Sequence, residues 1–179
     1  MIRNLWKQID FNIVCFRRKD VYLRKQGVRI GLGCDIITAL NNFGSEPYLI
    51  HLSNKVTIAS GVRFITHDGS TRLFRAELPE MSRWGNIFGP IIIEDDCFIG
   101  VNAILLPGTT IGANSIVGAG AVVKGTFPDL SVIAGVPAKR IFSLDDYIEK
   151  VKAMMIPLHA QTREELKREL MAHFFSGIK

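Results

Sequence analysis

Between residues 93 and 127 the chain walks a six-residue step, and few folds accommodate it. Every sixth position is aliphatic (Ile93, Ile99, Leu105, Ile111, Val117, Val123), and four places after each stands Cys97, Ala103, Thr109, Ser115, Ala121 or Phe127, mostly small. A helix repeats its apolar stripe about every 3.6 residues and a half-buried strand about every 2, so neither element explains the period by itself. Short straight segments meeting at corners do, because each segment returns a side chain to the same environment. Gly100, Gly112 and Gly118 directly follow aliphatic positions, and Gly108 and Gly120 fall elsewhere in the repeat, as expected where a backbone bends or is closely approached. Three segments close one triangular coil, and coils stack at a strand spacing of about 4.8 Å. The inward aliphatics then form columns that no coil buries alone. The expected fold class is mainly β, a parallel β-solenoid.

The run IGVNAILLPGTTIGANSIVGAGAVVKG, followed by VIAGVPAKRI, resembles the hexapeptide-repeat acyltransferases. Upstream, EPYLIHLSNKVTIASGVRFITHDGS is similar to the sugar and polysaccharide O-acetyltransferase branch of that family. The resemblance implies a left-handed parallel β-helix and a homotrimer. It also implies acetyl-CoA as co-substrate and a sugar or glycan acceptor, of the kind found in capsules and surface polysaccharides.

With 179 residues, 47% of them hydrophobic, the chain suffices for one substantial core with appendages. Residues 1–27 lack the repeat and are expected to cap the first coil, with a short helix over residues 20–26 ending at Gly27. The solenoid is expected over residues 28–141. It starts with Ile30 and Ile36 inward, is broken by the polar stretch 41–47, and resumes with Ile50, Val56 and Val62 as inward positions. A second interruption, the loop 69–89, follows Thr66, His67 and Asp68, and is expected to act as a lid or acceptor-binding arm. Residues 142–179 change to helical spacing, with Ser143 and Thr162 as caps, and are expected to hide the last open edge.

Three cysteines without motif spacing make no disulfide framework and predict a reducing cytoplasm. Arg3, Lys7 and Asp10 interrupt the apolar N-terminus, so neither a leader peptide nor a membrane span of about 18 residues is expected. The net charge of +5 is concentrated in residues 1–29, through Arg3, Lys7, Arg17, Arg18, Lys19, Arg24, Lys25 and Arg29. That cluster reads as a solvated basic face or as a peripheral contact with an anionic membrane surface. Nucleic acid is not expected, because the aromatic interleaving of a stacking platform is missing.

Acetyl transfer from a thioester to a hydroxyl needs a base for the hydroxyl proton and a donor for the tetrahedral oxyanion. Of the four histidines, His159 and His173 lie in the tail and His51 at an expected turn. By resemblance, His67 in ITHD is the catalytic base. Asp68 points to the other side of a regular strand, so Glu46 from the earlier loop, or a main-chain carbonyl, is the candidate that orients the ring. The resemblance assigns coenzyme contacts to Ala119, Val123 and Lys124, to Lys139 and Arg140 near the nucleotide end, and to Val101 and Asn42. Asp68, Arg72, Arg75 and Trp84 are the candidate acceptor-binding residues, the indole suiting a sugar face. A direct transfer is favoured over an acyl-enzyme on Cys34 or Cys97. No metal is expected, since the coils offer only His51 and His67 and a trimeric metal-dependent hydratase needs more. Two alternatives stand beside O-acetylation: N-acetylation of an amino-sugar nucleotide, and a catalytically silent β-solenoid scaffold.

Overall fold

The computed structural model describes residues 19–78 and 84–177. Arg3, Lys7, Arg17 and Arg18, most of the expected cap, and residues 79–83 of the long loop lie outside the described residues. The chain divides into two units, Met1–Tyr147 and Ile148–Lys179.

In the first unit the chain lays short parallel strands on three sheets in rotation. The first sheet stacks Arg29–Ile30, Ile50–Leu52, Ile91–Ile93, Thr109–Ile111 and Thr126–Phe127. The second stacks Asp35–Ile36, Thr57–Ile58, Phe98–Ile99, Ile116–Val117 and Ser131–Gly135, and the third Arg63–Phe64, Ile104–Leu105 and Val122–Val123. Each parallel pairing therefore joins strands one turn of the coil apart, and not segments that follow one another in sequence.

The register builds three inward columns. Ile30, Leu52, Ile93, Ile111 and Phe127 align on the first sheet. Ile36, Ile58, Ile99, Val117 and Ile133 align on the second. Phe64, Leu105 and Val123 align on the third, and Phe43 extends that column by stacking on Phe64 with ring centroids 4.6 Å apart. Most of these side chains are fully buried, each worth about 1.5–3 kcal/mol relative to exposure.

Two registers differ from the spacing alone. Ile50, Val56 and Val62 are buried, but Ile50 pairs with Ile91, so the three stand in the corner column that continues through Cys97 and Ala103. The strand column is Leu52, Ile58 and Phe64, two residues on. Both sets repeat every six residues and both are apolar here, so the period does not choose between them. Phe127, grouped by spacing with the small residues, pairs with Ile111. One corner is shortened to allow this, and Gly125 turns it at φ +97°.

At the corner from first to second sheet each coil puts one residue in the left-handed region: Gly33, Lys55, Asp96, Asn114 and Leu130, at φ between +53° and +71°. Side chains satisfy the amides that turn out of the ladder. Asn54 Oδ1 accepts from Leu32 N at 2.9 Å, Asp95 Oδ1 from Asn54 N at 2.7 Å, and Asp129 Oδ1 from Ala113 N at 3.0 Å, which ties each corner to the next coil.

A helix, Lys19–Lys25, precedes the first coil, buries Leu23 and ends before Gly27 at φ +93°. The strand Ala138–Ser143 pairs antiparallel with Ser131–Gly135 and covers the last edge of the second sheet, the task expected of the C-terminal helices. That strand also runs through the expected boundary at residues 141 and 142. Helix Leu144–Lys152 follows, with Ser143 Oγ accepting from Asp146 N at 3.1 Å. In the second unit, helix Arg163–Phe175 starts at a capping box between Thr162 and Glu165, and none of its side chains is buried. Among the described residues no helix is long and apolar enough to cross a membrane.

Corner glycines separate into two kinds. A Cβ on Gly112 would lie 2.4 Å from the main-chain nitrogen of Asp129, whereas on Gly118 its nearest contact is the Ala134 side chain at 3.1 Å. Gly112→Ala is expected to destabilise the fold by roughly 3 kcal/mol or more and Gly118→Ala by about 1 kcal/mol or less. Thermal unfolding followed by circular dichroism measures both.

Candidate active site

The site begins where the third sheet turns toward the first. After Phe64 the chain leaves the coil, forms the strand His67–Asp68, and returns through Ile87–Phe88, which pairs with it antiparallel. The long loop is thus rooted in a two-stranded ribbon that sets the Phe88 ring against the His67 ring, centroids 5.6 Å apart. Above the ribbon the arm is folded on itself: Thr71 Oγ1 donates to the Gly85 carbonyl at 2.7 Å, and an Arg75 guanidinium nitrogen donates to Asn86 Oδ1 at 2.9 Å.

The other half of the site comes from the earlier interruption. Thr38 Oγ1 donates to the Val62 carbonyl at 2.9 Å, and Asn42 Nδ2 donates to Thr38 Oγ1 at 2.8 Å, fastening the loop to the next coil. Gly44, at φ +69°, lets this loop pass close to Phe64 O, 3.0 Å from where a Cβ would stand. The loop delivers Glu46 to the ribbon, where its Oε2 lies 2.7 Å from His67 Nδ1 and 2.8 Å from Thr66 Oγ1.

Partial burial works to raise the Glu46 carboxyl, but hydrogen bonds from His67, Thr66 and Ser45 outweigh it and keep the group below its ordinary value of 4.5. An ionised carboxylate only accepts, so Nδ1 carries the shared proton, and in the neutral form of the ring the lone pair is left on Nε2. The His67 side chain is 33% exposed and that of Glu46 15%. Beside the ring opens a cleft of about 370 Å³, lined by His67, Asp68, Gly69, Phe88, Gly108 and Lys124 among others. A Cβ on Gly69 would stand 4.0 Å from Nε2, so the glycine keeps that side of the ring open.

The expected site residues are not all brought together. His67, Glu46, Asp68 and Lys124 gather at the corner between the third and first sheets. Asp68 is fastened to the arm, its Oδ1 accepting from Ser70 N at 2.9 Å, and the Ser70 hydrogen bonds together with Lys124 keep its carboxyl below the ordinary value. Val101 and Ala119 are exposed at the corner between the second and third sheets. Lys139 and Arg140 are exposed on the antiparallel edge strand, opposite Ala134 and Ile133. Val123 is fully buried in the third column, so its side chain is no coenzyme contact. Asn42 binds Thr38, and Arg75 ties the arm, so both side chains are engaged in holding loops. Arg72 and Trp84 belong to the arm and do not line the cleft.

His51 is in a strand and not at a turn, paired with Arg29 and Ile92. Among the described residues no three potential metal ligands come together. Cys97 is no ready nucleophile: burial pushes its thiol up to about 11, and the Gly112 carbonyl accepts from it at 3.2 Å. Cys34 donates to the Ser53 carbonyl at 3.0 Å. Thr66 and Phe88 stand at the site without having been among its expected residues. Thr66 carried a signal, a hydroxyl inside ITHD at a corner where the later coils have Pro107 and Gly125.

Residues 90–124 match the hexapeptide repeat of succinyl-transferase. Protein CapG of Staphylococcus aureus is 48% identical over 130 residues, which cover 72% of this chain and 73% of CapG. A hexapeptide-repeat-containing acetyltransferase from Vibrio cholerae, solved with acetyl coenzyme A, superposes with a TM-score of 0.51 at 31% identity, over 66% of this chain and 61% of that one. A maltose O-acetyltransferase from Clostridium difficile 630 shares the fold, with a TM-score of 0.51 at 23% identity over 72% of this chain and 75% of that one.

Because the Glu46 carboxyl is lowered by folding, its hydrogen bonds stabilise the native state above the ordinary value of 4.5 and are lost as pH falls through the lower, folded value. The stability gap between the unsubstituted chain and Glu46→Gln is expected to be largest near neutrality and to shrink below pH 4.5. Denaturant unfolding of both chains across that range measures it.

Proposed function

The chain belongs to the hexapeptide-repeat acyltransferase family, and from that premise we propose that it transfers the acetyl group of acetyl-CoA to a hydroxyl of a sugar or polysaccharide of the capsule or surface-glycan type. The observation that carries this reading is the Glu46–His67 pair, 2.7 Å between Oε2 and Nδ1, at the mouth of a cleft on the coil's edge. The resemblance of the stretch ending in ITHDGS to the sugar and polysaccharide O-acetyltransferase branch supports the glycan acceptor, and the acetyl-CoA-bound Vibrio structure supports the donor.

The three-sheeted coil is read as the left-handed parallel β-helix of that family, and the working unit as a homotrimer. Support for the trimer lies in the separation of the candidate residues. His67 and Lys124 stand at one corner of the coil and Val101 and Ala119 at another, so a long coenzyme touching both sets needs a second subunit to bring its own corner alongside.

In the proposed reaction His67 Nε2 takes the proton of the acceptor hydroxyl while the oxygen attacks the thioester carbonyl. Glu46 stabilises the imidazolium that forms and keeps the ring from turning. The tetrahedral intermediate collapses, the carbon–sulfur bond breaks, and the imidazolium returns its proton to the departing thiolate, leaving acetyl ester and free CoA. Lys124 and Asp68 line the cleft as polar contacts for donor or acceptor, and Phe88 offers an apolar face to a sugar ring.

A labelled acetyl-transfer screen against free sugars, nucleotide sugars and lipid-linked or polymeric glycans tests the reading. Transfer to a hydroxyl acceptor is expected, with His67→Ala lowering kcat about 10²–10⁴-fold. Full activity in that variant removes His67 as the base, and preferred transfer to amino groups replaces the O-acetyl reading with N-acetylation.

A further inference from the structure

We propose that Thr66 is a positioning residue of this site: its hydroxyl anchors the Glu46 carboxylate so that the carboxylate fixes the His67 ring with Nε2 toward the cleft. The inference rests on the reading of His67 as base and adds the residue that makes its partner rigid.

Geometry leads to it. One carboxylate oxygen, Glu46 Oε2, receives both Thr66 Oγ1 at 2.8 Å and His67 Nδ1 at 2.7 Å. Thr66 is 1% exposed, so bulk water does not compete for its hydroxyl, whose single proton is committed to the carboxylate. Neighbouring residues of a regular strand point to opposite sides. Here the ribbon strand begins only at His67, and the irregular link through Thr66 lets two consecutive side chains converge on one atom.

The repeat does not ask for this hydroxyl. Two places after the strand residues Phe64, Leu105 and Val123 come Thr66, Pro107 and Gly125, so the same corner in later coils is made without a side-chain donor. The backbone of Thr66 is secured separately, its carbonyl accepting from Gly89 N at 3.0 Å. Removing the hydroxyl therefore leaves the main chain anchored and deprives Glu46 of one donor. Glu46 then swings more freely about its side-chain torsions, and the ring it holds loses orientation. Of the groups acting on Glu46, His67 is the titratable one and Thr66 and Ser45 are neutral donors, so the carboxyl itself reports the change.

The experiment uses the full chain, labelled with ¹³C at glutamate side-chain carboxyls and ¹⁵N at histidine rings. The Glu46 and His67 signals are identified by their absence in Glu46→Gln and His67→Ala. In the unsubstituted protein the Glu46 titration midpoint is expected below the ordinary carboxyl value and His67 protonated mainly at Nδ1. Thr66→Val is expected to raise the Glu46 midpoint by about one pH unit and to increase the share of the Nε2-protonated ring, while Thr66→Ser restores both. Wild-type values in a folded Thr66→Val chain overturn the proposal, as does a Thr66→Ser chain that behaves like Thr66→Val, since the methyl and not the hydroxyl then matters. A readout without substitution covers a valine variant that fails to fold: the Thr66 hydroxyl proton is expected as a slowly exchanging resonance, and its absence overturns the proposal. If these shifts appear while His67→Ala keeps full transferase activity, the base assignment fails and the Thr66–Glu46 contact stands.

Discussion

Stacking the inward columns in register is the constraint on which the rest depends. Most strands of the coil contribute only two or three residues, far too few to be stable alone, and become stable because the coils above and below complete their hydrogen bonds and bury their apolar side chains. Once the columns align, every corner recurs at a set height along the stack. Interruptions are tolerated only where the chain re-enters the column at the correct position. The loop before Ile50 re-enters at Leu52 and the long arm re-enters at Ile93, neighbours in the same column. Both excursions leave from the same side of the coil, and that is why Glu46 and His67, twenty-one residues apart in sequence, meet.

The fold was legible in the sequence to the extent that a single period specifies it. The six-residue step named three-sided coils, and the corner glycines marked the places of closest backbone approach. Register was less legible upstream, because Ile50 and Leu52, Val56 and Ile58, Val62 and Phe64 are all apolar and offer two equivalent six-residue frames. Downstream the corner column carries Cys97, Ala103, Thr109 and Ser115, and the contrast in size removes the ambiguity. The shortened turn at Gly125 was illegible for a related reason: an apolar Phe127 falls within two residues of either frame.

The site was legible in its titratable groups and illegible in its supports. His67 stood out through its motif, and Glu46 was a candidate from a polar loop on a rigid scaffold. What joins them, the Thr38–Asn42 fastening, the close pass of Gly44 and the Thr66 hydroxyl, depends on loop conformations that no periodicity encodes. Arg75 illustrates a second limit, a charged loop residue suited to a ligand that also holds the arm through Asn86. Val123 illustrates a third kind: a position matched by resemblance whose side chain the column requires for itself.

The central claim is that an acetyl thioester lies along the corner where His67 opens to the cleft. A crystal structure of the chain with acetyl-CoA tests it most directly. The account predicts the thioester carbonyl carbon within about 4 Å of where the acceptor oxygen would sit against His67 Nε2, with Glu46 still bonded to Nδ1. A thioester bound at another corner of every subunit, out of reach of any His67 in the assembly, would contradict it.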